Sequence, residues 1–541
     1  MSEPREVPPQ GISAELRAAL SAYDQSKTAD AYGSCVQEAQ KHVDQFPGAC
    51  DFILCCPAIN RRVAMSFFKR NAPTRILKLV FRQRSDDYQL WFSPKQEFKS
   101  GEEFAVFAGL EMMQARETEY LSNVLTLHSI TSRRPALRTP QLPSSLFGEL
   151  KNLRLAHESS RTATFLKILD KVSGVIESAI PSEIKEFVSH TSFQSIKLVS
   201  DLPLEWLRIR GAPLMFQAAV SRIPLTPGNS LLVHYQNSRE TIRLGKDEIS
   251  RTLILNCFEQ EDPLHSFARG LWETLAEMGI KAGYAEPANT KEYMEVLETK
   301  KPCILIHFGH GSYDRSVDRG YLHIRRERTE VWSFQNVFVP PIIALGACES
   351  AALAETHNTP SNGWLAIGAR CVLATLFPVQ ADLTTTLFVR VMANLQEAVF
   401  GTQQMPTWET VVSKTLMLNR YLDFLYGYEL WRKRRQLAGI PGEFIFEFTY
   451  RWNKAGLDLA QGYNKCTDLM VDAFRRFGEE FASSFSTYVQ MEPPLPHTMF
   501  FTHLGSPETV HIVKEKSASR DNDNPALMYW NSRVREEQGS R

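Results

Sequence analysis

The sequence lacks an excess of charge of either sign, a long apolar run and an apolar leader. Lysine and arginine together number 61, and so do aspartate and glutamate, so no overall charge draws the chain to nucleic acid or anionic lipid. We expect contact with nucleic acid to be indirect at most. Because no run of about 18 apolar residues occurs, no membrane span is expected. The first residues, Met-Ser-Glu-Pro-Arg-Glu, are too polar for a secretory signal.

Spaced cysteine motifs and nucleotide-binding motifs are also missing. The nine cysteines are scattered, Cys55-Cys56 is the only close pair, and no C-x-x-C motif occurs. This pattern argues against a disulfide framework or a zinc site and favours a reducing compartment, so we expect a cytoplasmic protein. The sequence has no G-x-x-x-x-G-K-[ST] loop and no G-x-G-x-x-G motif after a strand, which makes a nucleotide-binding effector the weakest hypothesis.

Two apolar runs end in small residues and one reactive side chain each. The first, Cys303–Phe308, is followed by Gly-His-Gly-Ser, and the second, Ile342–Leu345, by Gly-Ala-Cys-Glu-Ser. A parallel α/β sheet presents functional groups just past the carboxyl ends of its strands. Two neighbouring strands would therefore hold His310 and Cys348 over the same edge, which is the arrangement that a cysteine nucleophile needs.

The flanking residues fit this chemistry. A nearby histidine lowers the pKa of a thiol, so we predict that His310 accepts the Cys348 proton and later gives it to the leaving amine. Gly311 has no side chain to block a substrate carbonyl, and the N–H groups of Gly311 and Cys348 form the predicted oxyanion hole. One such donor lowers a barrier by roughly 3–4 kcal/mol. Cys348 follows His310 by 38 residues, similar to the spacing of about 50 in caspases. No metal or organic cofactor is needed.

Three further segments carry a family resemblance. Asp201–Leu207 resembles an "LPxExL" segment, Gly368–Val379 resembles a "GARxVxxxLWPV" strand with Phe377 in place of Trp, and Phe500–Pro507 resembles a closing strand. Together with the His and Cys motifs, they make the chain resemble CHAT-domain proteins, bacterial relatives of the caspase, separase and gingipain peptidases. The likeness spans roughly 160–515.

The resemblance implies a regulated cysteine endopeptidase that acts on protein substrates. It also implies a latent protease in a defence pathway, such as antiviral defence, or in programmed death, switched on by a partner or ligand. The alternative is a non-catalytic interaction protein that uses the caspase-like scaffold for assembly. The presence of both His310 and Cys348 argues against that alternative, because a degenerate site would tolerate their loss.

The predicted organisation has three parts. Residues 1–150 are an N-terminal α/β domain of unrecognised family, which we expect to act as a sensor or docking domain, and the proline-punctuated stretch 133–143 is the linker candidate. Residues 160–515 form the peptidase domain, with a helical insertion at about 400–490. The charged tail 516–541 is expected to be disordered.

The predicted fold class of the peptidase domain is α/β, a caspase-like, mostly parallel sheet flanked by helices. This follows from apolar strands that alternate with amphipathic helices. The predicted strands are Ser195–Val199, Ser230–Tyr235, Thr252–Cys257, Cys303–Phe308, Ile342–Leu345 and Cys371–Phe377, and the predicted helices include Asp262–Ile280 and Thr290–Lys300.

Other residues near the motifs have alternative roles. His307 is the rival base, although its place within the strand favours a packed structural histidine. Glu349 and Ser350 either support the nucleophile and the substrate cleft or cap a following helix, and the sequence favours neither. Asp382 could line the pocket for the residue before the scissile bond (P1), but an N-cap of the next helix is the more common role for such an aspartate.

A basic P1 residue is the expected specificity. The segment Phe377–Asp382 offers a carboxylate and no arginine, and a carboxylate forms charge-assisted hydrogen bonds with lysine or arginine. Against this, Arg315, Arg319 and the pair Arg325-Arg326 follow the histidine and could fold back toward the cleft.

Overall fold

The structure is a computed structural model, and it describes the chain in separate stretches between residues 52 and 515. The described stretches are 52–56, 145–159, 161–190, 195–225, 241–314, 319–353, 358–401 and 404–515, with isolated positions elsewhere. The predicted disordered tail lies outside them, as does most of residues 1–150.

A ten-stranded sheet forms the centre of the described structure. Its order is β2-β1-β3-β6-β16-β15-β14-β10-β8-β9, and every neighbouring pair is parallel except β15 and β16. The strands are β1 (Phe52–Cys55), β2 (Ala136–Arg138), β3 (Ser195–Val199), β6 (Ala219–Ile223), β8 (Thr252–Asn256), β9 (Ala282–Ala285), β10 (Ile304–Phe308), β14 (Ile342–Gly346), β15 (Cys371–Thr375) and β16 (Phe501–Gly505). The predicted mostly parallel sheet is confirmed.

Seven other strands of the described residues lie outside this sheet. The three strands β11, β12 and β13 form an antiparallel sheet directly after β10, and the other four form two small pairs. They are β4 (Arg208–Ile209), β5 (Ala212–Pro213), β7 (Ile242–Leu244), β11 (Gly311–Asp314), β12 (Arg319–Ile324), β13 (Glu327–Thr329) and β17 (Val510–Ile512).

Thirteen α-helices flank the sheets in the described ranges. They are α1 (Ser145–Glu158), α2 (Thr162–Ala179), α3 (Ser182–His190), α4 (Lys246–Ser250), α5 (His265–Glu277), α6 (Thr290–Lys300), α7 (Pro360–Ile367), α8 (Ala381–Val399), α9 (Trp408–Arg434), α10 (Phe444–Ala455), α11 (Leu459–Asn464), α12 (Cys466–Arg475) and α13 (Glu479–Met491). Helices α9 to α13 occupy the stretch predicted to be a helical insertion.

The central strands form because their side chains are apolar on both faces. Ile304, Leu305, Ile342 and Ile343 are fully buried, in β10 and β14. A strand covered by helices on both sides needs such a continuous apolar run, whereas a half-exposed strand alternates. These strands were therefore predictable within one or two residues of their observed ends.

The antiparallel pair β15 and β16 divides the sheet into two halves that run in opposite directions. The strands β15, β14, β10, β8 and β9 run one way, and the other five run the opposite way. The carboxyl ends of β8, β10, β14 and β15 therefore share one edge of the sheet, where the His and Cys motifs follow.

The linker predicted at 133–143 is wrong at its centre. Residues Ala136–Arg138 form β2, which pairs in parallel with β1, and β1 in turn pairs with β3 of the peptidase-like region. Arg134 also forms an ion pair with Glu508 at 3.2 Å. Prolines that flank a short strand are compatible with an edge position, because an edge strand leaves one row of N–H groups unpaired. The described N-terminal strands thus extend the central sheet.

One predicted strand is wrong, and one observed strand was not predicted. The strand predicted at Ser230–Tyr235 is wrong at its one described position, because His234 is helical. Strand β6 was not predicted, because Ser221 and Arg222 interrupt its apolar run. Both are buried with polar partners: Arg222 with Glu205 at 3.2 Å, and Ser221 with Glu409 at 2.6 Å. Glu205 is the glutamate of the "LPxExL" segment, so that motif has a structural role here.

Candidate active site

The His and Cys motifs follow adjacent strands. β10 and β14 pair in parallel with Phe308 opposite Gly346, so His310 and Cys348 each stand two residues beyond the last pair. Five consecutive paired positions, from Ile304 opposite Ile342 to Phe308 opposite Gly346, establish this register. The predicted neighbourhood of the two motifs is therefore present at the shared edge.

Gly311 packs directly against the backbone of Cys348. A Cβ at position 311 would overlap the carbonyl oxygen of Cys348 and would lie 3.2 Å from its backbone nitrogen. The missing side chain therefore makes room for Cys348 itself, and not for a substrate carbonyl as the sequence suggested. Gly311 faces Leu322 on β12, and the bond from His323 N–H to His310 O makes this a non-hydrogen-bonded pair. The N–H of Gly311 therefore points away from β12.

Asp262 holds the predicted base. Its Oδ2 lies 2.7 Å from Nε2 of His310, whose side chain is half exposed. Burial tends to raise the pKa of Asp262, but the N–H of Leu264 and the ring of His310 outweigh it and lower that pKa below its usual value. The ring of Phe258 meets the His310 ring edge-on at 5.0 Å. With Nε2 engaged, Nδ1 is the nitrogen left to accept a proton.

Sequence reasoning missed Asp262. It follows β8, the strand next to β10, and precedes α5, so it stands past the carboxyl end of a neighbouring strand, as His310 does. That position was the available signal, but the sequence alone did not establish that β8 and β10 pair.

The Cys348 thiol is mostly enclosed in this structure. Burial raises its pKa, the negative charge of Glu349 raises it further, and a weak hydrogen bond to Val379 O at 3.9 Å acts in the opposite direction. Within the described residues, no hydrogen bond joins Cys348 to His310. The thiol is therefore held in its protonated form, beside the segment Phe377–Asp382 that was expected to border it.

The turn after Cys348 is built into the sheet edge. The Ser350 hydroxyl is fully buried and accepts the N–H of Thr375 at 3.0 Å. Helix α7 begins ten residues later with Thr359 as its N-cap, so a helix-capping role for Glu349 or Ser350 is wrong. Ser350 instead fixes the nucleophile loop to β15.

Glu349 occupies a backbone conformation with a positive φ of 52°. Its carboxylate lies 3.8 Å from Nη1 of Arg154, a buried residue of α1. The same guanidinium stands 5.7 Å from the ring centre of Tyr313 in β11. Arg154 thus contacts residues that follow both Cys348 and His310, and it partly neutralises the charge beside the thiol.

Asp382 is the second residue of α8 and not the expected N-cap. The N-cap is Gln380. The Asp382 carboxylate accepts the N–H of Leu383 at 2.8 Å. It also accepts a hydrogen bond from the Tyr426 hydroxyl. Burial, the larger cause, and this hydrogen bond, the next one, raise the pKa of Tyr426 to about 12. Asp382 is half-buried and stands three residues after Val379, the neighbour of the thiol.

His307, the rival base, is a buried structural residue, as expected. Burial lowers its pKa to about 3. Its Nδ1 lies 3.7 Å from Cys257 Sγ and 3.3 Å from the Tyr293 hydroxyl. This pair is the closest Cys–His contact in the described structure, but burial raises the pKa of Cys257 far above its usual value. Both groups are therefore neutral and shielded from substrate.

The arginines that could fold back toward the cleft are paired with acids. Arg319 contacts Glu330 at 2.7 Å, and Arg326 contacts Glu259 at 3.2 Å. Arg325 contacts Glu286 at 3.4 Å. Arg315 lies outside the described residues. The three described arginines are therefore not convergent cations of the kind that a P1 aspartate requires.

The sheet and the side chains at its edge are those expected of the caspase-like cysteine peptidase class. The chain belongs to the CHAT-domain family, because the family model matches residues 110–405, more than half of the sequence. A search of curated proteins finds no significant match.

Three solved structures are similar at low identity. The Arg-specific cysteine proteinase gingipain R is 12% identical with a TM-score of 0.33, over 45% of this chain and 64% of that one. The complex of Porphyromonas gingivalis RgpB pro- and mature domains is 11% identical with a TM-score of 0.31, over 45% and 66%. The Saccharomyces cerevisiae separase–securin complex is 14% identical with a TM-score of 0.29, over 63% and 26%. The chain thus spans about two thirds of the gingipain structures and about a quarter of separase.

Neither a metal-binding cluster nor a membrane-spanning helix is found among the described residues. No cluster of three or more His, Cys, Asp or Glu side chains there is arranged to hold a metal ion. No described helix is both long and apolar enough to cross a membrane.

Proposed function

We propose that this protein is a cysteine endopeptidase in which Cys348 is the nucleophile, His310 the general base and Asp262 the group that orients the base. The observation that carries the proposal is the 2.7 Å contact between His310 and Asp262 at the same sheet edge as the Cys348 loop. A base held by a carboxylate next to a thiol is the arrangement used in nucleophilic catalysis.

The reaction follows from these roles. Nδ1 of His310 takes the thiol proton while Cys348 Sγ bonds to the carbonyl carbon of the scissile peptide. The oxyanion that forms is stabilised by the N–H groups of Gly311 and Cys348. His310 then gives its proton to the leaving amine as the C–N bond breaks, which leaves an acyl-enzyme. A water molecule, deprotonated by His310, hydrolyses the thioester and restores the thiol. No metal or organic cofactor takes part.

The raised pKa of Cys348 and the absence of a described hydrogen bond from His310 support a latent resting state. We propose that an activating partner or ligand, acting through residues 1–150, brings the base and the thiol together. Membership of the CHAT family supports a place in a bacterial defence or programmed-death pathway, and the absence of spaced cysteine motifs supports a cytoplasmic setting.

The proposed P1 preference is a basic residue. Asp382 is half-buried near Val379, where a lysine or arginine side chain could form charge-assisted hydrogen bonds in place of the one from Tyr426. Glu349 contributes a second carboxylate near the thiol. A peptide library tests this: preference for aspartate at P1, or a basic preference that Asp382→Asn leaves unchanged, would remove Asp382 from the pocket.

An acyloxymethyl-ketone thiol probe tests the proposed activity. After activation, the probe should label Cys348 selectively, and both Cys348→Ala and His310→Ala should abolish labelling and cleavage while thermal unfolding stays the same. Cys257→Ala with its partner His307 intact is the matched control, because this other Cys–His contact is buried. Comparison of cleaved proteins in cells with wild type and Cys348→Ala would then identify substrates.

The enclosed thiol also favours a second candidate function, an interaction protein whose caspase-like scaffold has no catalytic role. In that case the probe would not label Cys348 under any activating condition, and Cys348→Ala would leave the biological effect unchanged. The two functions therefore give opposite results in the same experiment.

A further inference from the structure

A cavity of about 360 Å³ lies between the helical insertion and Phe216, which precedes β6. It is lined by that side chain and by residues of α9, α10, α11 and the start of α12, and its lining shares no residue with the candidate active site. Phe448 and Cys466 at its inner side are each 3% exposed, whereas Lys414 and Thr449 are exposed at its rim. An engineered cavity of about 150 Å³ takes up benzene, so this cavity has room for a molecule with two rings.

Aromatic side chains dominate the walls. Aromatic side chains in a cavity lining favour a flat ligand, because stacked and edge-on ring contacts stabilise it beyond the area that it buries. Phe216 and Tyr463 are already stacked on one another at 5.0 Å. The aromatic lining residues are Phe216, Tyr421, Phe448, Trp452 and Tyr463.

The charged residues that line the cavity are both basic. Lys414 and Arg420 are among the lining residues, and no aspartate or glutamate is. Arg420 forms an ion pair with Asp423 through Nη1 at 3.2 Å, and its buried Nε makes no hydrogen bond in the described structure. The Asp423 carboxylate is shared between two partners, because it accepts the N–H of Thr498 as well as pairing with Arg420. The lining therefore favours a negatively charged group on the ligand.

We propose that this cavity is a binding site for a small aromatic anion, a planar ring system that carries one acidic group. The rings would lie between the aromatic walls and the anionic group would face Lys414 and Arg420. The site is separate from the proposed peptidase chemistry and does not depend on it.

The test uses the full-length protein and the fluorescent probe 8-anilinonaphthalene-1-sulfonate, a two-ring anion. We expect saturable binding of one probe per chain and quenching of Trp452 emission. Thr449→Trp fills the mouth of the cavity, and Lys414→Glu reverses a rim charge; each should weaken binding about ten-fold, which corresponds to about 1.4 kcal/mol. The matched controls are Phe446→Trp on the outer face of α10 and Lys465→Glu beyond the rim, and neither should change the affinity.

Charge selectivity is the second readout. Naphthalene-1-sulfonate should displace the probe, and 1-naphthylmethylammonium, a cation of similar size, should not. The proposal is wrong if the two compounds compete equally, or if neither Thr449→Trp nor Lys414→Glu weakens binding. It is also wrong if Phe446→Trp has the larger effect, because the probe then sits on the exposed face of α10. Exposed Thr449 and Lys414 tolerate substitution, and circular dichroism checks that each variant is folded.

Discussion

At the scale of single residues, Asp262 orients His310, the proposed base. A carboxylate at 2.7 Å from Nε2 fixes the ring orientation and favours the tautomer in which Nδ1 is free to accept a proton. The lowered pKa of Asp262 keeps that carboxylate charged at all pH values above its usual titration range. The contribution of this pair to orientation is therefore lost only when the pH falls through that lowered pKa.

Asp262→Asn should reduce kcat by about 10²-fold or more, because an amide can hold the ring in the wrong tautomer. Asp262→Glu should recover part of the loss. The measurement is the pH dependence of kcat/KM on a cleaved peptide. Asp314→Asn, on β11, is a control for the loss of a nearby carboxylate. Normal turnover in Asp262→Asn would show that His310 needs no orienting group.

The pair of Glu349 and Arg154 sets the reactivity of the thiol. Burial, and then the charge of Glu349, raise the pKa of Cys348. Glu349→Gln should lower that pKa, increase the thiolate fraction at any given pH, and speed alkylation by iodoacetamide by about two- to five-fold. Arg154→Gln leaves Glu349 without its 3.8 Å partner and should slow alkylation.

The readout for this pair is the alkylation rate of the Cys348 peptide by mass spectrometry between pH 7 and 9. The matched control is Glu158→Gln, which removes the other carboxylate near Arg154 but one that is not beside the thiol. If Glu349→Gln and Arg154→Gln changed the rate in the same direction, loss of packing and not charge would be the cause.

At the scale of elements, the close contact between two loops depends on one glycine. Gly311→Ala should push the Gly311 and Cys348 loops apart, because its Cβ would overlap the Cys348 carbonyl. We expect loss of probe labelling at Cys348 together with a loss of stability of about 1–3 kcal/mol. The control is Gly270→Ala in α5, where a Cβ meets no atom within 4 Å; it should stabilise the protein by about 0.5–1 kcal/mol.

Denaturant unfolding and probe labelling should be measured on both glycine variants. A Gly311→Ala protein with full labelling would mean that the loop contact does not matter for the site.

The elements that follow a continuous apolar pattern were predictable, and those that depend on partners were not. Strands β10 and β14 appear where their apolar runs predict them, and so do the His and Cys motifs beyond them. Strand β6 was missed because its polar residues are paired with residues far along the chain. Asp262 was missed for the same reason, since its role depends on which strand lies beside β10.

At the scale of the whole molecule, the N-terminal region and the peptidase-like region share one sheet. Cys55 and Val199 are paired neighbours, and Ile53, Val199 and Ile223 belong to one buried cluster. A regulatory role for residues 1–150 must therefore be separated from their structural role.

Removal of residues 1–150 should expose the edge of β3 and lower the unfolding temperature or cause aggregation. Removal of residues 1–50 keeps β1 and β2, so the edge of β3 should stay paired. Calorimetry and cleavage assays should be run on both. An unchanged fold after the longer deletion would show that residues 1–150 have no structural role. Unchanged basal activity and activation in both deletions would show that they have no regulatory role.

A buried polar network beneath the sheet centre makes stability depend on pH. Lys197 is fully buried and contacts Glu508 at 2.6 Å and Ser221 at 2.5 Å. Glu409 in α9 accepts a hydrogen bond from Ser221, and its other oxygen has no partner in the described structure. Burial, followed by the charge of Glu508, raises the pKa of Glu409 to about 7, although Lys197 opposes this.

The raised pKa of Glu409 determines the direction in which its contribution to stability changes with pH. Between about pH 4.5 and 7 the unfolded chain has lost the Glu409 proton while the folded chain still holds it, so the contribution of Glu409 to stability falls as the pH rises through this window. The loss is about 3 kcal/mol at most, from a shift of that size. Glu409→Gln is neutral at every pH and should remove this part of the pH dependence.

Urea unfolding at pH 5 and at pH 8 tests the prediction, with Glu429→Gln, an exposed residue of the same helix, as the control. We expect the unfolding free energy at pH 8, taken relative to that at pH 5, to be higher in Glu409→Gln than in the wild type and unchanged in Glu429→Gln. An unchanged difference in Glu409→Gln would mean that Glu409 is charged in the folded protein, in which case Lys197 would have to neutralise Glu409 and Glu508 together.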